Sequence, residues 1–170
     1  MDLAALVHDV PDYPQPGIVF KDLTPLLADP DGFRAVVDGI VARHPAGTVD
    51  VVAGIEARGF LLAGPVAVAL GVGVVPIRKS GKLPREVHET SYDLEYGSNA
   101  IAVHQDAFSA GQRVLVVDDV LATGGTAAAA VHLVERSGAV PVGVSVVLEL
   151  AFLDGRRALP GVDVQALITA

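Results

Sequence analysis

The chain contains no cysteine, which excludes disulfides, thiolate-held zinc and cysteine nucleophiles. It also has no apolar stretch fit to cross a bilayer. The nearest approach, residues 59–75, is interrupted by glycines and a proline and flanked by Arg58 and Arg78, so it reads as a buried helix followed by a strand. The opening Met1-Asp2-Leu3 lacks the basic n-region of a signal peptide, and a cytoplasmic protein is expected. Positive charge is scarce: 12 Lys and Arg against 20 Asp and Glu leave a net charge of −8. That balance argues against a general nucleic-acid face, which needs cations to displace counterions. Two nucleotide-binding motifs fail as well. Gly81-Lys82 has Pro76 where a Walker loop requires its first glycine. Gly71-Val72-Gly73 runs into a strand instead of out of one, so no dinucleotide fingerprint is present.

What remains is a 170-residue chain with 51% hydrophobic residues, enough for one domain, 1–170, with a substantial core. No internal repeat or linker divides it. The patterning predicts a short amphipathic helix at 2–10, a proline-held extended segment leading to 17–20, and a helix at 32–43 started by Asp29 or Asp31. Strands at 49–53 and 72–77 bracket a helix at 59–70. Residues 79–91 lack periodicity and read as a long loop, followed by a hairpin of 92–96 with 100–104. A strand at 113–117, a helix at 126–136, a strand at 140–148, a short helix near 152–158 and a strand near 162–168 complete the chain. Strand–helix alternation with continuously apolar strands predicts an α/β protein whose mainly parallel sheet is covered on both faces.

The most informative segment is Val117-Asp118-Asp119-Val120-Leu121-Ala122-Thr123-Gly124-Gly125-Thr126. Strand, acidic pair, glycine turn and helix follow in that order. Glycines let backbone N–H groups approach an anion, and the helix N-terminus adds partial positive charge. Carboxylates at the carboxyl end of a parallel strand stand where open α/β sheets bind ligands. Alone, the segment also suits a solvated turn with Thr123 as an ordinary N-cap; the flanking strand and helix favour the site. Ala53-Gly54-Ile55-Glu56-Ala57-Arg58-Gly59-Phe60 is a second strand-to-helix turn, fit either for another anion or for a structural turn with solvated Glu56 and Arg58. Arg78, Lys79, Lys82 and Arg85 cluster within eight residues, which on an acidic protein suggests a local anion site.

Together these segments resemble the type I phosphoribosyltransferases, and the first of them resembles that family's motif for 5-phosphoribosyl-1-pyrophosphate (PRPP). Within the family the similarity is to the adenine enzymes. It is carried by Tyr13-Pro14-Gln15-Pro16-Gly17-Ile18-Val19-Phe20-Lys21-Asp22-Leu23-Thr24-Pro25, by Glu56-Ala57-Arg58-Gly59-Phe60, by Ile77-Arg78-Lys79-Ser80-Gly81-Lys82-Leu83-Pro84 and by Ser91-Tyr92-Asp93-Leu94-Glu95-Tyr96-Gly97. The matches run in order from about residue 11 to 126. The resemblance implies a type I phosphoribosyltransferase fold: a twisted, mainly parallel sheet flanked by helices, an N-terminal base-binding hood at 11–25 and a mobile catalytic loop hairpin at 79–96. It implies transfer of phosphoribose from PRPP to adenine, giving AMP and pyrophosphate, with Mg2+ as cofactor and a homodimer as the assembly.

Site roles follow from the same resemblance. Ala122, Thr123, Gly124, Gly125 and Thr126 would hold the 5-phosphate, and Asp118 and Asp119 the ribose hydroxyls. Either carboxylate would be able to touch a magnesium ion held mainly through PRPP. Ala57, Arg58, Arg78, Lys79 and Lys82 would face pyrophosphate, with a non-proline cis peptide preceding Ala57. Phe20 would stack on adenine, and the Val19 and Lys21 main chain would read its edge. Glu95, near the purine N7, joins Arg58 and Lys82 as a catalytic candidate. Tyr92 and Tyr96 suit either hairpin packing or loop closure. Ala122 stands where hypoxanthine–guanine relatives carry an Asp, which favours adenine without deciding it. A same-fold enzyme for another base, or a PRPP-sensing regulator, are the alternatives.

Overall fold

The computed structural model describes residues 1–93 and 97–170. Its centre is a sheet of seven strands among the described residues: β3 (Val51–Ile55), β4 (Gly73–Lys79), β5 (Val87–Asp93), β6 (Ser98–His104), β7 (Arg113–Leu121), β8 (Val140–Glu149) and β9 (Val164–Thr169). Their spatial order is β5-β6-β4-β3-β7-β8-β9. β4, β3, β7, β8 and β9 pair in parallel, while β5 and β6 add an antiparallel hairpin at one edge. A separate antiparallel pair, β1 (His8–Pro11) with β2 (Val19–Asp22), forms the hood expected from the N-terminal segment.

Strand alternation creates two cores. On β7, Val114 and Val116 face one cluster while Leu115 and Val117 face the other; on β3, Val51 and Ala53 oppose Val52. The first cluster is covered by α4 (Gly125–Arg136), through Ala130, Leu133 and Val134. The second is covered by α2 (Pro30–Val41) and α3 (Arg58–Leu70), through Val36, Ile40, Leu62 and Val66. Asp29 caps α2 by accepting from the Gly32 N–H at 2.7 Å, with Pro30 at the first helical position. Of the two candidates for that start, Asp29 is the cap.

Three local expectations are corrected. The helix predicted at 2–10 is a 3-10 turn at Leu3–Leu6 followed by β1, because pairing of Val10 with Phe20 and Asp9 with Lys21 outweighs a marginal short helix. A five-residue helix, α1 (Thr24–Ala28), follows the hood and has no counterpart in the sequence reading. The predicted loop 79–91 is loop only over residues 80–86; from Val87 it becomes strand, and β5 pairs with β6 from Val87↔His104 to Asp93↔Ser98. β5 is a polar edge strand, and such strands lack the apolar alternation that announces a half-buried one. The short C-terminal helix resolves into two 3-10 turns, Ala151–Leu153 and Gly155–Ala158.

β3 continues through α3 to β4 on one side, and β7 continues through α4 to β8 on the other. The strand order therefore reverses between β3 and β7, and the crevice beyond their carboxyl ends is the topological switch point. Close sheet–helix packing is needed there: a Cβ on Gly54 would lie 2.6 Å from the Ala63 Cβ. Gly54→Ala is expected to destabilise the fold by about 1–3 kcal/mol, the usual range for overpacking. A leftward shift of the urea midpoint at unchanged slope would register it.

Candidate functional site

Many of the residues singled out in the sequence line one cavity of about 670 Å3 at this switch point. Val19, Phe20 and Lys21 of β2 form its hood side. Ala57 and Arg58, at the start of α3, and Lys79, at the end of β4, form a second wall. Asp118, Asp119, Ala122 and Thr126 line the floor between β7 and α4. Thr123, Gly124 and Gly125 complete the turn joining Ala122 to Thr126. The N-cap of α4 is Gly124, in left-handed backbone at φ 86°, with no side-chain cap hydrogen bond. A threonine-capped helix start is thus not what forms; the first turn is left to other partners. The Glu56–Ala57 peptide is cis, at the bond expected.

Electrostatics organise the walls around two carboxylates. Glu56 is nearly buried and accepts from Lys82 Nζ at 2.8 Å, from the Lys79 N–H at 2.9 Å and from Arg78 Nε at 3.3 Å. Arg78 also donates to the Lys82 carbonyl at 3.2 Å. The Lys82 hydrogen bond, with the Lys79 N–H and the nearby cationic charges, holds the Glu56 carboxyl down at about 2. Arg78 and Lys82 accordingly sit on Glu56 at the flank of the cavity and are not among the residues lining it. Across the cavity, Arg58 Nε donates to Asp119, and this contact raises the guanidinium above its ordinary value. Asp118 accepts the Asp119 N–H at 2.9 Å. Burial pushes the Asp118 carboxyl well up, and the neighbouring Asp119 charge adds to the effect.

On the hood, Lys21 Nζ is drawn to Asp9 at 2.7 Å. Tyr13 packs edge-on against Phe20, with ring centroids 5.3 Å apart and planes at 74°. Tyr92 of β5 lines the cavity as well. Glu95 and Tyr96 lie outside the described residues. Sequence reasoning overlooked Glu56 as the anchor of the basic cluster, although an acid at the end of an apolar strand, in a chain with four clustered cations, was a usable signal. It also missed Leu150, Phe152 and Leu153, which line the cavity as well. Nothing local marks those three, because they arrive from the far end of β8. Among the described residues no three His, Cys, Asp or Glu side chains cluster as a metal site, and no helix is long and apolar enough to cross a membrane.

Comparison with known proteins agrees with this architecture. The phosphoribosyl transferase domain matches residues 26–158. An adenine phosphoribosyltransferase of Acidothermus cellulolyticus is 60% identical over 166 residues, covering 98% of this chain and 94% of the relative. The crystal structure of the adenine phosphoribosyltransferase of Thermoanaerobacter pseudethanolicus superimposes with a TM-score of 0.95 at 44% identity, over 99% of this chain and 98% of that one. The Saccharomyces cerevisiae enzyme, crystallised with adenine and an imino-altritol bisphosphate, does so with a TM-score of 0.92 at 40% identity, over 98% and 96%. The chain belongs to the phosphoribosyl transferase family and has the type I fold. Within that family, these relatives are adenine phosphoribosyltransferases.

The depressed Glu56 carboxyl has a testable consequence. A folded-state value of about 2 against an ordinary 4.5 means that its contribution is full above pH 4.5 and is lost as pH falls towards about 2. Glu56→Gln should therefore be less stable than the parent at neutral pH, with the gap closing through that window. Urea unfolding across the pH series measures it; a gap that persists at the acid end refutes the assignment.

Proposed function

We propose that the chain transfers the 5-phosphoribosyl group of PRPP to adenine, yielding AMP and pyrophosphate, with the cytoplasm as its setting. The observation that carries this reading is a single cavity bordered by two strand-to-helix turns, an acidic pair between them and an aromatic hood. A ligand with phosphate at both ends of a ribose and a planar base at its side has matching chemistry. The 5-phosphate belongs on the Ala122–Thr126 turn and the start of α4. Asp118 and Asp119 accept from the ribose hydroxyls. The Ala57–Arg58 turn, with Arg78, Lys79 and Lys82, receives pyrophosphate. Phe20 stacks on adenine, the Val19 and Lys21 backbone reads its edge, and Glu95 faces N7.

In the reaction the C1–oxygen bond breaks and its electron pair leaves with pyrophosphate, while an adenine nitrogen forms the new bond to C1 and the base gives up its N–H proton. The ribose passes through oxocarbenium character. Fixed carboxylates near the ribose favour that positive charge, and Arg58 and Lys82 counter the charge on the leaving group. No covalent nucleophile is required. Closure over residues 79–91 would exclude water from the reactive sugar. The hard oxygen donors of Asp118 and Asp119 fit Mg2+ brought in by the substrate, and such an ion adds charge neutralisation on pyrophosphate when bound.

Chromatography of mixtures of the purified chain with magnesium, PRPP and either adenine, hypoxanthine, guanine, xanthine or orotate tests the reading. AMP and pyrophosphate should form with adenine alone. Product from another base, or PRPP binding without product, would replace it. Asp119→Asn and Glu95→Gln should each lower turnover by roughly 10²–10³ without unfolding; near-parent turnover removes the residue's role.

The same reading includes a homodimer. Its support is an uncovered apolar face: Leu61 and Val68, on one side of α3, are 56% and 81% exposed, and Val74 of β4 is 50% exposed. Val68→Glu should shift the sedimentation coefficient from dimer to monomer; an unchanged value would clear this face of the role.

A further inference from the structure

Residues 151–158 run past the cavity between two apolar anchors, the partly buried Leu150 and the buried Leu159, with little burial of their own. Only Gly155 among them is buried, and Phe152 is 74% exposed. Between those anchors the hold is polar, and includes the Ala151 N–H donating to the Ala170 carbonyl at 2.9 Å. Glu149, buried at the end of β8, accepts from Arg156 Nε at 2.8 Å and from Arg156 Nη2 at 2.7 Å, a bidentate pair. The remaining Arg156 nitrogen, Nη1, donates to the Val164 carbonyl at 2.8 Å. Glu149 itself is rigid, since it pairs with Leu121 across the β7–β8 ladder and its carbonyl accepts from the Ala170 N–H at 2.9 Å.

Arg156 directly follows Gly155, and Gly155 meets the Ala122–Thr126 turn backbone to backbone. A Cβ on Gly155 would collide with the Ala122 carbonyl oxygen, and one on Gly124 with the Gly155 carbonyl oxygen. The turn therefore takes its shape against Gly155 on one side and α4 on the other. The same eight residues carry Phe152 and Leu153 into the lining of the cavity. One partner of the ion pair thus lies in a segment that both meets the turn and lines the cavity.

We propose that the Glu149–Arg156 pair is a positioning clamp for substrate binding: it pins residues 151–158 and, through Gly155, sets the backbone of the turn that receives the 5-phosphate. The inference rests on the phosphoribosyl transfer proposed above. Arg156 and Glu149 act through Gly155 and are positioning residues, not catalytic ones. Removing the guanidinium leaves a buried carboxylate without its cation and loosens the stretch between Leu150 and Leu159, which buries little apolar surface of its own.

The test compares Arg156→Ala, Arg156→Lys and Glu149→Gln with Arg113→Ala. Arg113 makes an equivalent bidentate pair with Asp50, at 2.9 and 2.6 Å, at the opposite ends of β7 and β3. Hydrogen exchange in the unliganded protein should speed up selectively at residues 122–126 in the Arg156 and Glu149 variants and not in Arg113→Ala. KM for PRPP should rise by up to about 10²-fold, with kcat changing far less. Arg156→Lys keeps the charge without the fork, and should recover part of the loss. Equal exchange at 122–126 in all variants, or a stability loss with KM for PRPP unchanged, overturns the clamp. If Arg156→Ala does not fold, the Lys and Gln variants carry the same decision. If the parent chain makes no AMP, the functional reading fails, while the exchange result, which needs no substrate, still decides the clamp.

Discussion

The parallel pairing of β3 with β7, in the register Val51↔Val114 to Gly54↔Val117, is the constraint on which the site depends. It brings the turn after β3 beside the acidic residues near the end of β7. Because the two crossovers then diverge to opposite sides, α3 and α4 cover opposite faces and leave the space above their first turns open. A shift of that register by one residue would send the inward side chains of β7 to the other core and carry Asp118 and Asp119 away from Arg58. Packing on both faces resists such a shift, so the geometry of the site is secured by the same apolar contacts that stabilise the sheet.

Charge is distributed in the same economical way. An acidic protein concentrates cations at one place and meets them there with carboxylates. Glu56 gathers Arg78, Lys82 and the Lys79 N–H, while Asp119 holds Arg58 across the cavity. An anion entering this region exchanges one set of ion pairs for another and does not have to order free side chains, whose immobilisation would cost rotamer entropy. Asp118 differs: burial and the adjacent Asp119 oppose its ionisation, so the acidic pair does not present two equivalent charges.

Much of this was legible before any coordinates. The apolar runs at β3, β7 and β8, the helices α2, α3 and α4 and the two strand-to-helix turns could be read because burial on both faces makes period and composition unambiguous. Illegible elements were those defined by partners distant in the chain. β1 exists because β2 lies beside it, and β5 because β6 and α4 accept a polar strand. Leu150, Phe152 and Leu153 belong to the cavity only because β8 delivers them there. Glu56 could be seen but not weighed, since its importance lies in the two basic side chains and the backbone N–H that folding brings to it.

The sequence by itself determined the α/β class, the acidic pair with its glycine turn, and the family to which those residues point, because each is encoded within a few contiguous positions. Only the tertiary structure decided which cations pair with which carboxylates, that Gly124 and not Thr123 begins α4, and that residues 151–158 lie against the turn after Asp119. Those outcomes depend on distances between segments far apart in the chain, and such distances are set by sheet order and packing, which no local pattern carries.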